Sequence, residues 1–178
     1  SNLLHDTNLT IKQHDQVETI RLSSEALLTL INDILDFSKL EADRLEVEHL
    51  AFNLRTCVED ALGLLAPRAS EKGLNLAYWI AEDIPLEVVG DITRLRQVLV
   101  NLVSNGVKFT EQGQVLVSLG CDAATPAYSG QIMLHVQVRD SGIGIPEERH
   151  DRLFQSFSQV DPSTSRKYGG TGLGLVIS

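Results

Sequence analysis

Residues 91–109 read Asp-Ile-Thr-Arg-Leu-Arg-Gln-Val-Leu-Val-Asn-Leu-Val-Ser-Asn-Gly-Val-Lys-Phe, and their periodicity predicts an amphipathic helix. Leu95, Val98, Leu99, Leu102 and Val103 recur at helical intervals, so one side is apolar and seeks a core. Asn101, Asn105 and Lys108, spaced by four and then three, share a second face beside it. Two carboxamides and an ammonium there offer oxygen to a divalent cation and positive charge to a phosphate. A solvated polar stripe is the other reading of the same residues. Neutral oxygen donors suit Mg²⁺, which keeps several waters and completes its shell from substrate phosphates. Gly106 interrupts the helix, where glycine costs about 1 kcal/mol relative to alanine.

On the C-terminal side, residues 114–121 and 131–139 alternate as an antiparallel pair of strands, joined by a loop containing Pro126 and Gly130. The second strand runs into Asp140-Ser-Gly-Ile-Gly-Ile-Pro146. A carboxylate at a strand end can accept a hydrogen bond from an exocyclic amine, while Gly142 and Gly144 let the chain turn tightly. An ordinary turn has the same composition, and the segment fits neither the Walker loop nor the dinucleotide fingerprint. Residues 146–157 read as helical, with Phe154 and Phe157 at a spacing more common in plain cores. Residues 158–170 form a polar stretch suited to covering a ligand. It closes on Gly169-Gly-Thr-Gly-Leu-Gly-Leu175, whose small bulk lets backbone N–H groups approach a polyanion.

On the N-terminal side, strands are expected at 51–54, 74–80 and 86–89. A helix is expected at 55–72, capped by Gly73 and kinked or shortened by Pro67. Residues 10–48 form a further helical pattern, with Ile20, Leu27, Ile31, Ile34 and Leu45 on one stripe and Leu28, Leu30 and Leu35 widening it. So wide an apolar face needs partners, most simply a second copy of itself. Strands and helices mix without regular βαβ alternation, so the expected class is α+β with a mainly antiparallel sheet.

The 178 residues suffice for one core, or for a small domain with a helical appendage. A net charge of −9 argues against a general nucleic-acid binder, whose footprint is basic. Cys57 and Cys121 sit far apart in apolar stretches, which suits buried, reduced thiols in the cytoplasm. No apolar run reaches membrane-spanning length, so membrane attachment is expected only through sequence outside this chain.

Taken in order, the NxxxNxxK helix, DxGxG, FxxF and GGTGLGL resemble the N, G1, F and G2 boxes of sensor histidine kinases. Residues 27–48, LLTLINDILDFSKLEADRLEVE, resemble the second helix of that family's dimerisation domain, and the whole looks most like a hybrid-type core. The resemblance implies a helical-hairpin dimerisation segment over 1–48, then an α/β-sandwich ATP-binding domain of the histidine kinase/gyrase/Hsp90 (GHKL) type over 49–178. It implies ATP and Mg²⁺ as cofactors and a homodimer formed through the N-terminal helix. It also implies phosphoryl transfer to a histidine absent from this chain, for relay to an aspartate in a response-regulator receiver domain. By the same resemblance Asp140 reads the adenine amino group, with Gly142 and Gly144 shaping its turn. Asn105 holds Mg²⁺, and Asn101 and Lys108 face the phosphates as the catalytic candidates. Gly170, Gly172 and Gly174, with Leu173, surround the triphosphate, Thr171 lies near the base, and Phe154 and Phe157 help hold the lid.

Departures from the pattern sharpen the expectation. Gyrase-type relatives carry a glutamate base one helical turn before the metal asparagine, where this chain has Asn101. A carboxamide cannot accept a proton, which favours transfer over hydrolysis. His5 and His14 are each followed by aspartate but not by the family's Thr/Asn-Pro pair, and are rejected as acceptors. The chain is therefore expected to start after the acceptor and to stop before the family's last strands. Gly106 stands where the family usually has alanine. An ATPase or clamp of the GHKL type, and a dimerisation module without catalysis, are the alternatives.

Overall fold

The structure, a computed structural model, describes residues 9–41, 46–121, 130–152 and 174–177. The chain divides into two compact units, with the divide between Leu45 and Glu46.

The first unit is built on α1 (Ile11–Glu41). Its start is a reciprocal capping box, in which Gln13 Oε1 accepts from the Thr10 N–H at 3.0 Å and Thr10 Oγ1 accepts from the Gln13 N–H at 3.4 Å. His14 is exposed in its first turn, whereas His5 and Leu45 lie outside the described residues. Ile20, Leu27, Leu28, Ile31, Ile34 and Leu35 are between 45% and 61% exposed, so these members of the expected stripe are uncovered, while the Leu30 side chain lies outside the described residues. Helix does not extend to Glu48 as the periodicity suggested, because residues 46–49 are already irregular.

The second unit starts with β1 (Leu50–Asn53), and α2 (Leu54–Glu71) follows without a loop. Asn53 ends the strand and caps the helix, its Oδ1 accepting from the Thr56 N–H at 3.0 Å. Pro67 does not shorten α2. Both Pro67 and Gly63, whose carbonyl loses its donor, are exposed, so water can replace the missing bond. The helix stops at Gly73 (φ +66°), where the Gly73 N–H donates to Ser70 O and the Leu74 N–H to Ala69 O, a Schellman closure.

Next come β2 (Asn75–Ile80), β3 (Glu87–Gly90) and α3 (Ile92–Phe109). β4 (Gln114–Cys121) and β5 (Leu134–Asp140) follow, then a 3-10 helix (Glu147–Arg152) and α4 (Gly174–Ile177). β1 pairs antiparallel with β3, and a three-stranded sheet runs β2-β4-β5. β4 and β5 are antiparallel as expected, although β5 begins only at Leu134. β2 and β4 are parallel. The intervening α3 is the crossover that a parallel pair requires. The helix expected over 146–157 is a 3-10 helix in its described part, and Pro126, Phe154 and Phe157 lie outside the described residues.

The core lies between α2, α3 and one face of the larger sheet. Leu54, Val58, Leu99, Val103, Val115, Val117 and Leu119 are fully buried. Each such side chain contributes roughly 1.5–3 kcal/mol through burial. Val98 and Leu102, placed by periodicity on the buried side of α3, are only half-buried, while Gly106 and Val107 are buried. Cys57 is buried and burial raises its thiol pKa, whereas Cys121 is half-buried. Among the described residues no helix is long and apolar enough to cross a membrane.

Candidate functional site

Strand register brings three connections to one end of the sheet. Asn75 lies opposite Gln114, and Val115 lies opposite Asp140, so β2 and β4 start where β5 ends. The Asn75 N–H donates to Gly113 O at 2.9 Å and the Ser141 N–H to Gln114 O at 3.1 Å. Ser141 Oγ in turn accepts from the Gln114 N–H at 2.9 Å. Gly113 (φ +114°) packs so closely on Ser141 that a Cβ there would collide with the hydroxyl.

Onto this frame the turn after Asp140 is fastened. The Gly142 N–H donates to Asp140 Oδ1 at 2.9 Å, and the Ile143 N–H donates to Phe109 O at 3.3 Å. A Cβ on Gly142 would lie 2.5 Å from Phe109 O and 2.9 Å from Phe109 C. Both are backbone atoms of the α3 terminus and cannot swing away, so sterics demand glycine at 142. Gly144 meets a different demand, since it has open space around it but a φ of +67°. The Asp140 carboxylate is exposed, and among the described residues only Oδ1 is engaged, leaving Oδ2 able to accept.

The polar face of α3 lies alongside. Gly106 brings the helix onto the sheet: a Cβ there would stand 3.0 Å from Val115 Cγ1 and 3.5 Å from Asp140 Cβ. Asn105, the residue before it, is half-buried, and among the described residues nothing hydrogen-bonds its carboxamide. One turn earlier, Asn101 Nδ2 donates to Gly174 O at 3.3 Å, which joins the α3 face to the last glycine of the GGTGLGL run. Gly170, Thr171, Gly172 and Leu173 lie outside the described residues. The Lys108 ammonium stands 4.7 Å from the Phe109 ring centroid, and burial lowers its pKa. A bound polyanion would favour the charged form again.

Among the described residues no cluster of three His, Cys, Asp or Glu side chains could hold a metal alone. A lone neutral carboxamide such as Asn105 fits an ion that draws most of its shell from water and phosphate, as Mg²⁺ does. Asp140 Oδ2 fits a donor such as an exocyclic amine.

Gly113 and Ser141, which hold the turn, escaped the sequence reading. So did Lys72, whose Nζ donates to the carbonyls of Val107 at 2.7 Å, Lys108 at 2.9 Å and Thr110 at 3.0 Å. Its place beside the helix-ending Gly73 was visible, but not the carbonyls it reaches.

Residues 90–178 match the family described as histidine kinase-, DNA gyrase B-, and HSP90-like ATPase. The chain belongs to this family. The signal transduction histidine-protein kinase BarA of Escherichia coli K12 is 47% identical over 172 residues, which cover 97% of this chain and 18% of that protein. The solved structure of full-length ShkA in complex with AMPPNP has a TM-score of 0.76 at 34% identity, covering 98% of this chain and 34% of that one. Histidine kinase ThkA, solved in complex with response regulator protein TrrA, has a TM-score of 0.58 at 27% identity, covering 86% of this chain and 42% of that one. The chain thus spans under a fifth of the length of BarA.

Proposed function

We propose that residues 49–178 form the ATP-binding catalytic part of a hybrid-type sensor histidine kinase. It passes the γ-phosphoryl group to a histidine outside this chain, for relay to a response-regulator aspartate. The carrying observation is the Asp140 turn, fastened through Gly142 and Ile143 to the α3 terminus with Oδ2 left open beside the Asn101–Lys108 face. The matches to BarA and to the AMPPNP complex of ShkA support the same reading.

In this reading Asp140 Oδ2 accepts from the adenine amino group, and the rigid turn fixes where the base sits. Asn105 Oδ1 holds Mg²⁺, which when bound would neutralise phosphate charge. Lys108 supplies positive charge to the phosphates, and Asn101 orients them while holding Gly174. By the resemblance, Gly170, Gly172 and Gly174, with Leu173, serve the triphosphate and Thr171 the base. Asn101 cannot take a proton from water, so the site lacks a base at that position and suits transfer to a nucleophile presented by another segment. Residues 1–48 form part of the dimerisation domain, and the uncovered face of α1 supports pairing with a second copy. Demand for ATP places this part in the cytoplasm.

Calorimetry with Mg²⁺–ATP tests the binding half. Asp140→Asn should weaken affinity by roughly tenfold or more, as expected for losing a charge-assisted hydrogen bond. Labelled ATP supplied together with a separate acceptor-bearing helical segment tests the transfer half. Label on that segment supports the kinase reading, whereas steady phosphate release without it favours the ATPase.

A further inference from the structure

We propose that Lys72, on no element assigned to the nucleotide, is a positioning residue for the base end of the site: its ammonium holds the α3 terminus to which the Asp140 turn is fastened. This rests on the nucleotide reading above and assigns a residue which that reading lacks.

The last carbonyls of a helix have no partner within it. At the end of α3, the carbonyls of Val107, Lys108 and the capping Thr110 all accept from Lys72 Nζ, at 2.7, 2.9 and 3.0 Å. The carbonyl between them, Phe109 O, accepts from the Ile143 N–H and lies against Gly142. Four consecutive carbonyls are thus shared between one lysine and the turn that carries Asp140. Holding three fixes the fourth.

Two further observations separate positioning from ligand binding. An ammonium has three donors, and Lys72 spends all three on these carbonyls, so none is left for a phosphate. Its backbone is itself locked by the Schellman closure at Gly73 and Leu74, followed at once by the Asn75–Gly113 bond. The lysine therefore braces the α3 terminus from a fixed post. It lines an open groove of about 440 Å³ with Arg68, Glu71, Ser104 and Lys108. Water can enter there and hydrate the carbonyls if the ammonium is removed, so its loss acts on geometry more than on folding.

The test is calorimetry on the whole chain with Mg²⁺–ADP and with Mg²⁺–IDP, which lacks the 6-amino group that Asp140 would read. The parent should prefer ADP by roughly tenfold. Lys72→Met should cut that preference to about threefold or less, leaving IDP affinity within about twofold. A folded Lys72→Met chain that keeps the parent's ADP/IDP ratio overturns the proposal. If Lys72→Met does not fold, Lys72→Gln is judged by the same ratio. Amide NMR gives a readout independent of nucleotide. The Gly142 and Ile143 resonances should move in the variant while Val117 in the core stays, and unmoved turn resonances equally overturn the proposal. A parent that binds neither nucleotide defeats the site reading, and the NMR result then decides on Lys72 alone.

Discussion

Two helices in this chain carry apolar stripes of the same periodicity and meet opposite fates. In α3, Leu99 and Val103 are fully buried within their own unit. In α1, Leu27 and Leu28 are 57% and 61% exposed, and Ile31 and Ile34 nearly half exposed. Periodicity therefore says that a face wants covering but not what covers it. The α3 stripe works inside the fold, where it sets the α3 polar face beside Asp140. The described members of the α1 stripe lie at the surface of their own unit.

Paired substitutions break the comparison if it is wrong. Leu99→Ala should cost about 2–5 kcal/mol in urea unfolding, because it opens a cavity in a closed core, and the loss should not depend on protein concentration. Leu27→Ala should instead shift a monomer–dimer equilibrium seen by sedimentation, with a stability loss that fades on dilution. A Leu27→Ala chain that sediments like the parent at every concentration would sink the pairing of α1 with a second copy.

Gly142→Ala comes next in size. Its Cβ would press on Phe109 O at 2.5 Å, so we expect a loss of about 1–3 kcal/mol in stability and of measurable nucleotide binding. Equal nucleotide affinity in this variant would show that the turn yields where the packing says it cannot.

A smaller effect tests the start of α3. Asp91 caps it, with Oδ1 accepting from the Arg94 N–H at 2.9 Å and Oδ2 from the Glu48 N–H at 3.0 Å. The Arg94 backbone bond is the main cause that lowers the Asp91 pKa. A carboxyl lowered by folding stabilises above its unfolded value, near pH 3.9, and loses that contribution as pH falls through the lower folded value. Asp91→Ala should cost about 1 kcal/mol at neutral pH. Asp91→Asn, which can still cap, should flatten the loss of stability between the unfolded and folded values, measured by urea midpoints across that range.

The smallest expected effect is Gly106→Ala. Helix propensity favours alanine by about 1 kcal/mol. Val115 Cγ1 would stand 3.0 Å away on a fully buried, stiff side chain, so the gain should be cancelled and unfolding show a net loss below about 1 kcal/mol.

Much of this was legible beforehand, and particular residues show where legibility ends. The spans of α2 and α3, the strands of the β4–β5 pair and the Asp140 turn follow from patterns within a few residues. The capping by Asn53 and Asp91 is equally local, yet the sequence reading did not single it out. That residues 46–49 are irregular was not legible, because the helical pattern of the sequence runs on to Glu48. The parallel pairing of β2 with β4 was not legible either, since two strands with the same alternation can pair in either direction.

Sequence alone determined the α+β class, the polar face Asn101–Asn105–Lys108 and the turn after Asp140, because periods and turn chemistry are encoded between near neighbours. Tertiary structure alone decided that Gly142 is required by the Phe109 carbonyl while Gly144 is required by its own φ. It also decided that Gly113 and Ser141 frame the turn, and that Lys72 ties off the end of α3. Those contacts join residues some thirty positions apart, and no local pattern records which carbonyl a distant ammonium or glycine will meet.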